Sequence, residues 1–133
     1  MKIILHTFFI LLLSLTLNAQ ISDNSVETTA SGSGSVAMGY QTEATAAFST
    51  AMGLQSKATG PRSTAIGWLT QAQEFQSTAM GYSTTASGNT STAMGTFTTA
   101  SGNYSTAMGG YSIASGNYST AIGIGTIASD HAS

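Results

Sequence analysis

The chain has 133 residues with 6% charged and 41% hydrophobic side chains, a net charge of −2 and no cysteine. Lys57 and Arg62 are the only basic residues after the first twenty, which argues against nucleic acid or an anionic membrane as partner, since both require clustered lysine and arginine. Disorder is also disfavoured, because it goes with high net charge and few β-formers, and here threonine is abundant while charge is low.

Residues 1–19 read as a secretory signal peptide. Lys2 supplies the positive start, Ile3 to Leu17 the apolar stretch, and Leu17-Asn18-Ala19 a small-residue cleavage site before Gln20. The apolar stretch is shorter than the roughly 18–20 residues of a spanning helix and is broken by His6, Ser14 and Thr16. The mature chain is therefore expected to be exported, with a leader over 20–27 and a repeat domain over 28–133. Without cysteine, backbone ladders and packing must hold it together.

The repeat is explicit. Gly39, Gly53, Gly67, Gly81, Gly95, Gly109 and Gly123 lie 14 residues apart, and each closes the phrase Ser-(Thr/Val)-Ala-(Met/Ile)-Gly. Within it, Met38, Met52, Ile66, Met80, Met94, Met108 and Ile122 form an unbroken apolar column. Three residues after each glycine comes a hydroxyl (Thr42, Ser56, Thr70, Thr84, Thr98, Ser112, Thr126), and two further on an alanine. Free columns lie between, such as Glu43, Lys57, Gln71, Thr85, Thr99, Ile113 and Ile127. A fixed period without slippage predicts a solenoid in which each unit meets only its neighbours.

Period-two restriction and β-branched threonine predict strands. Fourteen residues hold two strands of about five residues and two short turns, giving an all-β parallel solenoid of about eight coils. In the second strand only the hydroxyl and alanine columns are fixed, so the other face is solvated. In the first strand both faces are fixed, with Ser, Ala and Gly on one side and Thr/Val and Met/Ile on the other. A strand restricted on both faces is buried on both, and the simplest cover for the second face is another copy of the chain. Two assignments are open. Ala and Ser inside the roll leave Met/Ile for the oligomer axis, which larger apolar burial favours; the reverse leaves a small-residue axis.

The phrases Ser35 to Gly39, Ser63 to Gly67 and Ser119 to Gly123, with Ala-Ser-Gly between repeats, resemble the head repeats of trimeric autotransporter adhesins, the YadA-like head. The resemblance covers about 28–133. It implies a left-handed parallel β-roll, a homotrimer, an outer-membrane-associated or extracellular location, and non-enzymatic adhesion to a host matrix protein, cell surface or glycan. The asparagine that commonly precedes the family phrase is replaced by Gly34, Phe48, Arg62, Gln76, Thr90, Tyr104 and Tyr118. No neck, heptad stalk or barrel-forming segment is legible, so membrane insertion by this chain itself is not expected. It is read either as a piece of a longer protein or as a secreted head.

No catalytic, cofactor or metal site is expected. Gly123 to Ala128 matches a GxGxxA dinucleotide pattern, but the repeat accounts for it and no strand-to-helix context surrounds it. The acidic residues Glu43, Glu74 and Asp130 do not recur with the period as calcium ligands would. Aromatics are the better lead: Tyr104 and Tyr118 before the phrase, and Phe97 and Tyr111 two residues after its glycine, are the candidate ligand surface, stacked by the period. Two alternatives remain. One is an ice-binding or surface-adsorbing threonine array, suggested by Thr84-Thr85 and Thr98-Thr99 but interrupted at Lys57, Gln71, Ile113 and Ile127. The other is a structural segment of a tail-fibre-like protein.

Overall fold

The computed structural model describes residues 21–22 and 27–131. The expected signal peptide, 1–19, and part of the expected leader lie outside them. The described residues form sixteen strands and no helix, arranged in two parallel sheets of eight. One sheet holds β1 (Ile21–Ser22) and the seven five-residue strands β3 (Val36–Tyr40), β5 (Thr50–Leu54), β7 (Thr64–Trp68), β9 (Thr78–Tyr82), β11 (Thr92–Thr96), β13 (Thr106–Gly110) and β15 (Thr120–Ile124). The other holds the two-residue strands β2 (Thr29–Ala30), β4 (Glu43–Ala44), β6 (Lys57–Ala58), β8 (Gln71–Ala72), β10 (Thr85–Ala86), β12 (Thr99–Ala100), β14 (Ile113–Ala114) and β16 (Ile127–Ala128).

The 14-residue period becomes a register in which like sits on like. Met94 pairs with Met80 and Met108, Gly95 with Gly81 and Gly109, and Ala100 with Ala86 and Ala114. The backbone binds each coil to the next through strand and corner alike. Thr64 N–H donates to Ser77 O at 2.9 Å, and at the corner Ser83 N–H donates to Trp68 O at 2.8 Å. The second strand is shorter than the sequence predicts, because the corner that follows consumes residues to reverse the chain. There Ser63 N–H donates back to Gly60 O at 3.1 Å across a turn with Pro61 second, where its fixed φ fits, and Arg62 third at φ 59°.

Each coil turns through two left-handed residues, one per corner. Gln41, Gln55, Leu69, Ser83, Phe97 and Tyr111 make one corner, with φ between 52° and 57°. Phe48, Arg62, Gln76, Thr90, Tyr104 and Tyr118 make the other, with φ between 54° and 61°. The second set is the column where the family phrase commonly carries asparagine, a residue that tolerates this conformation.

The interior is made of very small groups. Fourteen alanines from Ala37 to Ala128 form the apolar core, flanked by buried Ser35, Ser49, Ser63, Ser77, Ser91, Ser105 and Ser119 from one sheet. From the other come buried Thr42, Ser56, Thr70, Thr84, Thr98 and Ser112. Ser56 and Ser112 donate at 2.9 Å to the carbonyls of Gly67 and Gly123, one coil on. The first strand therefore turns Ser and Ala inward and Thr and Met/Ile outward, the assignment that apolar burial favours. The glycines depart from the expected inward face: Gly39, Gly53, Gly81 and their equivalents are half-buried or exposed. Their constancy has another cause. Gly95 has φ +117°, and a Cβ there would lie 2.0 Å from Gly109 O in the next coil.

Candidate functional site

Three surfaces stand out. The first is the outer face of the long-strand sheet. Val36, Thr50, Thr64, Thr78, Thr92, Thr106 and Thr120 form one column, and Met38, Met52, Ile66, Met80, Met94, Met108 and Ile122 the column beside it. All are only partly covered, from half-buried at the middle coils to 62% exposed at Ile122. This is a long apolar-and-hydroxyl face with no charged residue in either column, unlike the outer face of the short strands, which carries Glu43 and Lys57.

The second surface is the corner after the long strands, where the candidates Phe97 and Tyr111 lie. They join Trp68 and Tyr82 in one ladder, with ring centroids 4.8 Å apart for Trp68–Tyr82, 5.0 Å for Tyr82–Phe97 and 5.1 Å for Phe97–Tyr111. In the sequence Trp68 and Tyr82 follow the phrase glycine by one residue, and Phe97 and Tyr111 by two. The ladder switches column between Tyr82 and Phe97, and what keeps it continuous is that the adjacent columns share one corner. The other two candidates belong elsewhere. Tyr104 and Tyr118 stack at 5.0 Å and 4° on the opposite corner, followed by His131 at 5.2 Å. Beside them runs an asparagine ladder, in which Asn103 Oδ1 accepts from Asn89 N–H and Asn117 Oδ1 from Asn103 N–H at 3.0 and 2.9 Å.

The third surface is a shallow polar groove of about 320 Å³ lined by Glu27, Gln41, Glu43, Gln55, Lys57, Leu69 and Gln71. Its side chains satisfy one another. Gln55 donates to Gln41 at 2.9 Å, Gln41 donates to Glu27, and Lys57 pairs with Glu43 at 2.8 Å. No group of three or more His, Cys, Asp or Glu among the described residues has the disposition of a metal site. Gly123 to Ala128 runs from strand β15 into strand β16, so the GxGxxA pattern does not open a helix.

The threonine pairs read from sequence are divided by the fold. Thr84 and Thr98 are fully buried, and only Thr85 and Thr99 face outward, in a column that also holds Lys57, Gln71, Ile113 and Ile127.

A model of the YadA head domain repeat, two repeat copies in length, matches residues 30–54, 44–70, 72–98, 86–112, 100–126 and 114–133. The chain belongs to the YadA head repeat family. No curated protein matches the chain. The overlapping matches follow the same 14-residue register that stacks the strands, so family phrase and structural coil coincide in this YadA head. Membership makes it adhesin-like, in keeping with a molecule whose largest features are surfaces.

Proposed function

We propose that this YadA head is exported and acts as the non-enzymatic, ligand-contacting part of a trimeric surface adhesin, its outer long-strand face packed against two further copies. One observation carries the reading. The interior buries alanine methyls and hydroxyls almost alone, while the Met/Ile column lies outside and half-covered. At about 25 cal/mol per Å² of apolar area, a core of alanines stabilises weakly, while the outer face carries an unbroken column of Met and Ile that is only half-covered. Packing three copies face to face buries it and leaves the corners of every copy exposed to a ligand. The exposed corners then serve as the binding surface, repeated around the trimer so that weak contacts add by multivalency.

Attachment to plates coated with collagen, fibronectin or whole host cells tests the adhesive role. Saturable attachment by the mature chain supports it, and attachment no greater than that of an unrelated protein refutes it. N-terminal sequencing of exported material, with Gln20 as the expected first residue, tests export.

A second reading draws on the in-register threonines Thr50, Thr64, Thr78, Thr92, Thr106 and Thr120 on the same outer face. A flat hydroxyl array of that kind suits adsorption to an ordered surface such as ice. The two readings compete for one face, so a chain that stays monomeric and produces thermal hysteresis favours the second.

A further inference from the structure

We propose that the aromatic corner formed by Trp68, Tyr82, Phe97 and Tyr111 is a binding track for an extended neutral glycan of the β-1,4-linked type, laid parallel to the solenoid axis. The proposal rests on the adhesin reading only in placing function on the exposed corners, and it names what one corner would take.

Spacing is the first argument. Successive ring centroids lie 4.8, 5.0 and 5.1 Å apart from coil to coil across four coils. A β-1,4-linked glycan in its extended two-fold form advances by nearly one such step per sugar, so the track and the polymer stay in phase. An extended peptide advances by a shorter step, about 3.3 Å per residue, and loses phase at once.

Ring orientation is the second. Sugars present their C–H faces to aromatic rings, which requires ring faces not already covered by neighbouring rings. Trp68 and Tyr82 are inclined at 46° and Tyr82 and Phe97 at 73°, so that part of the ladder is not stacked face to face, whereas Phe97 and Tyr111 stack at 18°. Trp68, Phe97 and Tyr111 remain 48%, 40% and 62% exposed. The opposite corner is shorter: Tyr104 and Tyr118 form one stacked pair at 4°, followed edge-on by His131, against four rings in the track.

Charge is the third. No charged residue occurs between Phe75 and Ser129, the stretch that supplies three of the four rings. Sulfated or uronic-acid polymers would find no cation there, whereas a neutral glycan requires none. Thr85 and Thr99, paired in register on the outer face next to the track, supply hydroxyls for the sugar's own hydroxyl groups.

Depletion isotherms of the mature chain on microcrystalline cellulose and on chitin test the proposal, with the triple variant Trp68→Thr, Phe97→Gln and Tyr111→Gln beside it. These replacements already occur in the same columns, as Thr96, Gln41 and Gln55, so the coil tolerates them. The control is Tyr104→Gln with Tyr118→Gln, which follows Gln76 of that column. The expected result is saturable retention on at least one glycan, unaffected by about 1 M salt and weakened roughly tenfold or more by the triple variant but not by the control. No retention of the wild-type chain on either glycan overturns the proposal. So does retention that the triple variant preserves, or that salt abolishes. Loss of attachment to collagen or fibronectin in the triple variant, without glycan binding by the wild type, assigns the corner to a protein and overturns the glycan while leaving the adhesin reading intact. Glycan retention without attachment to matrix or cells does the opposite.

Discussion

Gly95 concentrates what each glycine of the repeat does: its φ of +117°, and the 2.0 Å that would separate an added Cβ from Gly109 O, leave no room for any side chain. Gly95→Ala is expected to cost about 3 kcal/mol or more, read as a fall in the melting temperature of the β signal, because backbone strain and a backbone clash act together. An unchanged melting temperature would contradict the geometry. The corner residues invite the opposite change. Thr90 is β-branched and held at φ 55°, a conformation that costs such a residue on the order of 1 kcal/mol. Thr90→Asn is therefore expected to stabilise by about that amount, despite loss of the bond from Thr90 Oγ1 to Asn89 Oδ1 at 3.0 Å on the partly exposed corner. Constancy of the glycine column was visible in the sequence, but its cause was not. A small residue that faces inward and one that must adopt positive φ leave the same trace in a repeat, and only the backbone separates them.

At the level of the strand, inward and outward columns follow from size alone. Serine and alanine fill the roll, and the Met/Ile column, too large for an interior shared with Thr98 and Ala100, lies outside. Met94→Ala is expected to weaken assembly by about 2 kcal/mol or more per protomer while the far-ultraviolet β signal persists, because the interior it leaves untouched is alanine. Loss of the β signal itself would place Met94 inside the roll and contradict the fold. Alternation made the long strands legible as strands restricted on both faces, while leaving open which face turns inward. The short strands were overestimated because a two-residue strand followed by a turn, as at Thr85–Ala86, carries the same alternation as the start of a longer one. The aromatic ladder was half legible for a related reason. Phe97 and Tyr111 share a column and Trp68 and Tyr82 another, and a column shift at a corner cannot be seen without the coil's path.

The described residues form a stack of coils with only small apolar side chains inside it and a long apolar face outside. Identical coils in register make the fold legible from seven glycines, while the same simplicity leaves its association partners unwritten in any single residue. A Met94→Glu variant, placing a charge in the middle of the outer face, is expected to give a folded monomer, because a carboxylate cannot be buried unpaired between copies and is readily solvated on one alone. Whether that face is covered decides the assembly. Light scattering coupled to size exclusion, on the mature chain at micromolar concentration, measures this directly. Three copies per particle is the predicted result; a stable, folded monomer would contradict it.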